Sequence, residues 1–594
     1  MNKNKRTLLN YYQEELAYVR HEAQAFAKRY PRIASHLHLS PDVIEDPHVN
    51  RLIEAFALLN SRIRCQIDDQ FPNLIEALLD IIFPGYLVPI PSMSIVQFRP
   101  QNSLTGSFLL NQGTLLETPP TEGEPCQFST CYDTTLWPVS ITTAQCVTRT
   151  AESLSYAGTP SETKSHLILS LRCNNPEQRF DTLAPDKLRF HIKGANALAL
   201  SLYEYLFAHC LGMSVINPAE PSSVCFSLGP QAIEPVGFNT KEAILPEADQ
   251  DFIGHRLLLE FFTFKAKFLF FDVNFGKPLH DIGNTLIIML HFKAPLNNQL
   301  PLLNADHLAL NCTPIINRFS KIAEPLIVDG KRDQYPIVAD KSYPDHYHVL
   351  QIKQIDDITD MSHPQTLTKL YDAGSTSHPS TAMQWSTKRL YNEENDTERT
   401  LLTLTANSTA EPSKVLQIYS DSFNGNIPHL LSFPNKTSHF QFADGSAPVS
   451  LIQCLSQPTP VYRQHLDHQG KLPWQFITKL SLNYRHFLHN DQALEMLRNT
   501  LALYNLGQPQ ENAPFIDSII DIETKKAMKR IPGSLLNPFV YGHTVTIHFD
   551  ARKTTAVSNY LFVKVLEQFL TGYQAINSFI DVKTVTRSHE TKDV

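Results

Sequence analysis

The residues of this chain that could do chemistry are chiefly its 24 histidines and nine cysteines. The closest sets of potential metal ligands are His36 with His38, Asp345-His346-Tyr347-His348, and His465 with His468. Side chains two apart share a face of a strand, and side chains three apart share a face of a helix, so each set could present two ligands together. A zinc site needs three or four ligands with a supporting second shell. We therefore predict no metal site and no cofactor.

Nucleotide and hydrolase motifs are also missing. No two glycines lie two or four positions apart, which excludes both GxGxxG and GxSxG. The adjacent carboxylates Glu14-Glu15 and Asp68-Asp69 are expected on helices, where neighbouring side chains point about 100° apart and do not converge on a substrate. Cys126 and Cys131 lack a second pair and are predicted to be buried thiols. We predict no catalytic residues.

Composition narrows the class of protein further. The chain has 594 residues, 42% of them hydrophobic, which is enough for several domains of about 100–200 residues. Its net charge of -8 argues against nucleic acid as a partner. It contains neither an apolar signal segment nor a stretch of about 18 apolar residues that would span a membrane. We expect a soluble, cytosolic, multidomain protein with reduced cysteines.

The elements that must position any functional side chain begin with two amphipathic helices. Their apolar residues follow the three-four spacing of a heptad seam, the pattern of a helix packed along a partner. The predicted seams are Leu9, Tyr12, Leu16, Val19, Ala23, Phe26 and Tyr30 in the first helix, and Val49, Leu52, Phe56, Leu59 and Ile63 in the second. A short apolar helix is expected after Pro72. Periodicity alone fits a private three-helix core as well as a bundle shared with another chain.

Beyond Pro91 the sequence changes to short β-prone runs separated by turn residues. We predict an α+β multidomain fold, in which an N-terminal helical bundle segment is followed by β-rich and mixed α/β domains. The phenylalanine-rich run 261–271 is predicted to be core. The expected regions are a helical part over 1–91, a β-rich α+β domain over 92–310, a mixed segment over 311–410 with a polar loop at about 356–400, and a C-terminal α/β domain over 411–594.

Short blocks in a fixed order carry a resemblance to a known family. They include Tyr11-Tyr12-Gln13-Glu14-Glu15-Leu16, Phe26-Ala27-Lys28-Arg29-Tyr30-Pro31, Asp46-Pro47-His48-Val49, Pro89-Ile90-Pro91-Ser92-Met93, Pro235-Val236-Gly237-Phe238, Lys267-Phe268-Leu269-Phe270-Phe271, Leu480-Ser481-Leu482-Asn483-Tyr484 and Ile576-Asn577-Ser578-Phe579. Together they resemble the TssF (ImpG/VasA) family of type VI secretion baseplate subunits over essentially the whole chain. Lys265-Ala266 and Ser422-Phe423 depart from the family pattern, which puts only local loops in doubt.

The resemblance implies a structural, non-enzymatic wedge subunit in which two TssF copies combine with one TssG. It further implies contact with TssK, and with TssE and VgrG within the baseplate, in the cytoplasm at the inner membrane. The seam residues then become candidate interface residues. Two alternatives stay open: a wedge subunit of a phage or phage-tail-like particle, and, more remotely, a cryptic hydrolase that uses Asp345, His346 and His348.

Overall fold

The computed structural model of the chain describes residues 8–36, 46–82, 87–120, 124–149, 159–194, 197–218, 224–245, 253–370, 383–392, 397–406, 413–433, 439–463, 493–507, 509–530, 539–550, 553, 558–572 and 579–587. The chain divides into two compact units. The described part of the first unit is residues 8–36, 46–82 and 87, and the described residues from 88 onward form the second. Helices make up the first unit, and the second is mainly strand, which confirms the predicted α+β class.

The first unit contains three helices, α1 (Leu8–Arg29), α2 (Pro31–His36) and α3 (Pro47–Ile82). Pro31 separates α1 from α2, since proline is tolerated at a first helical position but not in a helix interior. At the start of α3, the Asp46 Oδ1 atom accepts a hydrogen bond of 2.8 Å from the His48 amide. This contact satisfies one of the amides that a helix N-terminus leaves without an intrahelical partner.

The separate helix expected after Pro72 is a wrong prediction, because α3 continues through this proline to Ile82. An interior proline removes one backbone hydrogen bond and strains the preceding turn. Ending the helix would instead require a new helix to nucleate, which fixes several residues for a single hydrogen bond. The single helix of 36 residues avoids that second nucleation.

The second unit is built mainly of strands with a few helices. Its described helices are α4 (Phe180–Leu183), α5 (Ala197–Ala208), α6 (Ile253–Thr263), α7 (Ile427–Leu430), α8 (Ala493–Tyr504), α9 (Pro509–Asp517) and α10 (Tyr560–Thr571). The first strands are β1 (Met93–Pro100), β2 (Phe108–Leu110), β3 (Leu115–Glu117), β4 (Gln127–Thr130), β5 (Thr134–Leu136), β6 (Val139–Thr148), β7 (Ser165–Cys173), β8 (Lys187–Ile192), β9 (Cys210–Ile216), β10 (Val224–Leu228), β11 (Ile233–Pro235), β12 (Phe270–Asn274), β13 (Thr285–Phe292), β14 (Leu308–Leu310) and β15 (Cys312–Ile316). The later strands are β16 (Phe319–Ile322), β17 (Leu326–Val328), β18 (Gln334–Ile337), β19 (His348–Asp357), β20 (Gln365–Thr366), β21 (Thr368–Lys369), β22 (Met383–Asn392), β23 (Thr397–Ala406), β24 (Lys414–Phe423), β25 (Gln441–Phe442), β26 (Val449–Cys454), β27 (Ile519–Arg530), β28 (Phe539–Asp550) and β29 (Phe579–Arg587).

These strands form mostly antiparallel sheets. The larger sheets have the strand orders β25-β3-β4-β15-β1-β26, β10-β9-β13-β7-β6 and β11-β12-β8-β14. A further pair has the orders β16-β24-β19-β20, with β17 beside β24, and β18-β23-β22-β21. Apolar residues of this pair of sheets, including Trp385, Leu402 and Ile418, belong to one buried cluster. The pair therefore has a hydrophobic core of its own.

The range in which a polar loop is expected, about 356–400, contains strands. The structure places β22 and part of β23 there, paired antiparallel in continuous register from Met383 with Ala406 to Asn392 with Thr397. Trp385 lies 6% exposed in the core, and its indole N–H donates to the Leu367 carbonyl at 3.1 Å. At the start of β22, buried Met383 and Trp385 alternate with the half-buried Gln384 and Ser386, as expected of a strand with one face in the core.

The phenylalanine-rich run is core, as predicted. All six of its phenylalanines are buried, and so is Lys267. The Lys267 ammonium group donates to the Glu260 carboxylate, which also accepts from the amides of Ile244 at 2.9 Å and Leu245 at 3.2 Å. A buried charge persists only when it is paired and hydrogen-bonded. Glu260 provides Lys267 with both the opposite charge and a hydrogen-bond acceptor.

The C-terminal β-α-β arrangement follows the predicted order, with β28 parallel to β29 and α10 between them in the chain. β27 pairs antiparallel along β28. Val545, Ile547 and Phe549 alternate along β28 and are buried, as expected. His548 lies on the opposite face of the strand and is also buried, at 5% exposure. Among the described residues, no helix is both long enough and apolar enough to cross a membrane.

Candidate interaction surface

Most of the buried side chains in the described part of the N-terminal helices are small. The residues of α1, α2 and α3 that are clearly buried in the described part are Tyr11, Ala27, Ala34, Ala57, Ser61 and Leu79. Alanine and serine let helix backbones approach closely, but each buries little apolar area. At about 25 cal/mol per Å² of apolar surface, this contact supplies only a modest hydrophobic stabilisation.

Polar contacts add to the link between α1 and α3. Arg64 Nη1 lies 2.7 Å from Glu15 Oε1, and Arg20 Nη2 lies 3.4 Å from Glu54 Oε1. Arg20 Nη2 also donates to Asn50 Oδ1 at 3.1 Å. The arginine side chains remain nearly half exposed, and exposed ion pairs contribute roughly 0–1 kcal/mol each. These contacts orient the two helices more than they stabilise them.

Most of the predicted seam residues face solvent in the single chain. We call the exposed members the exposed seam, and their exposed fractions are Leu9 60%, Phe26 37%, Tyr30 45%, Leu52 71%, Phe56 56%, Leu59 58% and Ile63 57%. The remaining candidates, Tyr12, Leu16, Val19, Ala23 and Val49, are of intermediate exposure. A private core would have covered the exposed seam, so the single chain does not use these side chains as its own core.

Three further large apolar side chains on these helices are exposed and were missed by the heptad pattern. They are Tyr18 at 61%, Ile33 at 54% and Leu58 at 45%. Each lies off the three-four spacing, so periodicity alone could not select it. Leu58 lines a groove of about 480 Å³ together with Leu9, Tyr12, Glu54 and Ala55. Two of the predicted seam residues, Leu9 and Tyr12, therefore border an open, mainly apolar groove on this unit.

The side chains that sequence inspection considered for catalysis are dispersed or structural. His346 Nε2 lies 3.3 Å from the Pro125 carbonyl oxygen, and the His348 ring packs against Phe423 with centroids 5.6 Å apart. Within the described residues, Asp345, His346 and His348 do not form a metal-binding group. His38, His465 and His468 lie outside the described residues.

The cysteines described by the structure are all free thiols. Cys126 and Cys131 are both buried. Burial raises the pKa of the Cys131 thiol to about 12, because the thiolate would lose its hydration. A thiol that stays protonated is a poor nucleophile, so Cys131 serves packing.

Comparison with known proteins identifies the family. The model of the type VI secretion system TssF family matches residues 4–593. The chain is 28% identical over 614 aligned positions to the type VI secretion system component TssF1 of Pseudomonas aeruginosa, covering 99% of this chain and 97% of that protein.

Solved structures share the fold. One is a cryo-electron microscopy structure of the type VI secretion system TssK-TssF-TssG baseplate subcomplex, with a TM-score of 0.73 and 21% identity, covering 91% of this chain and 96% of the matched chain. Another is the type VI secretion baseplate complex, with a TM-score of 0.58 and 20% identity, covering 98% of this chain and 97% of the matched one. From the family match over nearly its full length, the chain belongs to the TssF family of the type VI secretion system.

Proposed function

We propose that this baseplate protein acts as a wedge subunit whose exposed seam packs into a helical bundle with a second copy of the chain and one TssG-family protein. Membership of the TssF family gives the chain a structural role in the type VI secretion baseplate. The observation that carries the proposal is the row of large apolar side chains that the single chain leaves in water.

The energetics favour a bundle as the partner of this surface. Full burial of a leucine, isoleucine or phenylalanine side chain contributes roughly 1.5–3 kcal/mol. Leu52, Phe56, Leu59 and Ile63 form an exposed apolar stripe along α3, and apolar patches on soluble proteins mark interaction sites. Leu52, Phe56 and Leu59 keep the three-four spacing, so a helix is the element that fits along them.

The wider assembly follows from the relatives. A TssF chain occurs in a solved complex with TssK and TssG, and we extend both partners to this chain, with TssE and VgrG as neighbours in the baseplate. The role is non-catalytic and places the protein in the cytoplasm, docked at the inner membrane through the baseplate. His346 contacts a backbone carbonyl and His348 packs against Phe423, and these separate contacts support a structural role.

The test is co-expression of the full chain with a TssG-family protein, followed by native mass spectrometry. The triple variant Leu52→Asp, Phe56→Asp, Leu59→Asp changes three side chains that are more than half exposed, so the chain should keep its fold. Loss of three apolar anchors is expected to weaken association by at least about 100-fold, since each tenfold change corresponds to about 1.4 kcal/mol.

The matched control is Leu302→Asp, which changes a leucine of 66% exposure in the second unit. Wild type and control should form a complex of two copies with one TssG, and circular dichroism should show that all variants are folded. The proposal is wrong if the triple variant assembles normally, or if the wild-type chain remains a monomer with no affinity for TssG. Leu16→Asp is less informative, because Leu16 is partly buried within the chain.

A further inference from the structure

A cluster of potential metal ligands lies where β27 and β28 begin to pair. Asp521 stands directly opposite His548 in the antiparallel register. Glu523 is two residues further along β27, so its side chain projects from the same face of the sheet as Asp521. One ligand atom from each of the three side chains lies within 4.8 Å of the others. None of the histidine pairs considered from the sequence includes these residues.

Burial and charge distinguish this cluster from an ordinary surface ion pair. His548 is 5% exposed, and its Nε2 atom lies 3.2 Å from Glu523 Oε1. Lys525 Nζ lies 3.6 Å from Glu523 Oε2, but this lysine side chain is 77% exposed and its charge is largely screened by water. The cluster therefore joins one buried imidazole to two carboxylates that are each half-buried.

We propose that Asp521, Glu523 and His548 form a binding site for a divalent transition metal ion of the Zn²⁺ class. One imidazole nitrogen and two carboxylate oxygens are donors that Zn²⁺ accepts, and three protein ligands leave a further position for water. Ligand atoms at about 2.0–2.2 Å from a tetrahedral zinc are about 3.3–3.6 Å apart. His548 Nε2 and Glu523 Oε1, 3.2 Å apart, already have this spacing, and the other ligand atoms, all within 4.8 Å, would have to close by no more than about 1.5 Å.

The bound ion would cross-link β27 to β28 at one end of their paired region. The other end carries exposed apolar side chains, with Met528 at 56%, Phe539 at 64% and Tyr541 at 73% exposure. Met528 and Tyr541 are direct cross-strand partners. A metal at the buried end would fix the strand register without occupying that apolar surface. This inference does not depend on the exposed seam or on the proposed wedge.

The experiment uses the full chain, freed of metal by a chelator and titrated with Zn²⁺ alone by isothermal calorimetry. We expect one Zn²⁺ per chain with a dissociation constant in the micromolar range or below, together with a rise in melting temperature. Co²⁺ should give a visible absorption band that Zn²⁺ displaces. Asp521→Asn and Glu523→Gln nearly preserve side-chain volume and should each weaken binding by at least about tenfold.

His543→Gln is the matched control, because His543 is on the same strand but five positions away, on the opposite face. His548→Gln is informative only if the variant folds, so the two carboxylate variants decide the outcome. The proposal is overturned if the wild-type chain shows no saturable binding of Zn²⁺. It is equally overturned if Asp521→Asn and Glu523→Gln bind Zn²⁺ as tightly as wild type and His543→Gln.

Discussion

Replacement of Glu260 by alanine is predicted to destabilise the second unit by about 3–5 kcal/mol, the usual cost of removing one partner from a buried ion pair. Glu260 and Lys267 are both fully buried, and Arg256 Nε lies 3.9 Å from the same carboxylate. Without Glu260, Lys267 Nζ would keep its hydrogen bond to the uncharged Glu242 carbonyl at 3.1 Å. Two buried cations would then lack the anion that now compensates them.

The pKa of Lys267 gives the same prediction a second readout. Burial lowers this pKa, and the charge of Glu260 opposes the lowering. Removing Glu260 therefore drives the pKa further down, and the amine can release its proton instead of remaining as an unpaired charge. This release limits the destabilisation. Because the folded-state pKa is lower in Glu260→Ala, the free energy of unfolding of this variant should rise with pH over a wider alkaline range than that of wild type.

The assay is denaturant unfolding followed by circular dichroism for Glu260→Ala, Lys267→Met and the double variant. Because methionine removes one of the two buried cations, the double variant should be less destabilised than the sum of the two single variants by at least about 1 kcal/mol. Glu234→Ala changes an exposed glutamate on β11 and should stay within about 0.5 kcal/mol of wild type. Strict additivity, or a wild-type midpoint for Glu260→Ala, would refute the reasoning.

Two other predictions concern the same unit. Burial lowers the pKa of His255 and of His291 to about 4, so the folded state favours neutral imidazoles. Stability should therefore be complete above about pH 6.5 and fall as the pH drops toward 4, by up to about 3 kcal/mol per group. Melting temperatures across this range check it, and His255→Phe should flatten the decline. Gly254→Ala would place a Cβ atom 2.6 Å from the Phe569 Cα atom. This substitution should separate α6 from α10 and lower the melting temperature, whereas an unchanged melting temperature would contradict the close packing.

Local chemistry was enough to predict elements whose signals are contained in one short segment. Asp46 and Pro47 marked the start of α3, and the alternation from Val545 to Phe549 marked β28. Pro72 shows where such a signal fails. The proline predicts a helix end, but ending the helix would require a second helix to nucleate, and that free-energy cost has no local sequence motif. β22 was missed for a different reason. Its core residue Trp385 lies between the polar residues Gln384 and Ser386, so no apolar run marks the strand. Its pairing with β23 is a tertiary contact, which a local pattern does not reveal.

The residues that α3 buries within the chain could not be predicted from the heptad pattern, for a reason that lies in side-chain size. Heptad analysis selects large apolar residues, and on α3 it selected Leu52, Phe56 and Leu59. The chain itself buries Ala57 and Ser61 instead, which no hydrophobic pattern emphasises. Residues 56 and 57 point about 100° apart around the helix. One face of α3 can therefore pack its small residues against the rest of the chain, while the adjacent face leaves its large residues exposed. If the large residues had been used internally, the chain would have gained stability but lost the surface that we propose for assembly.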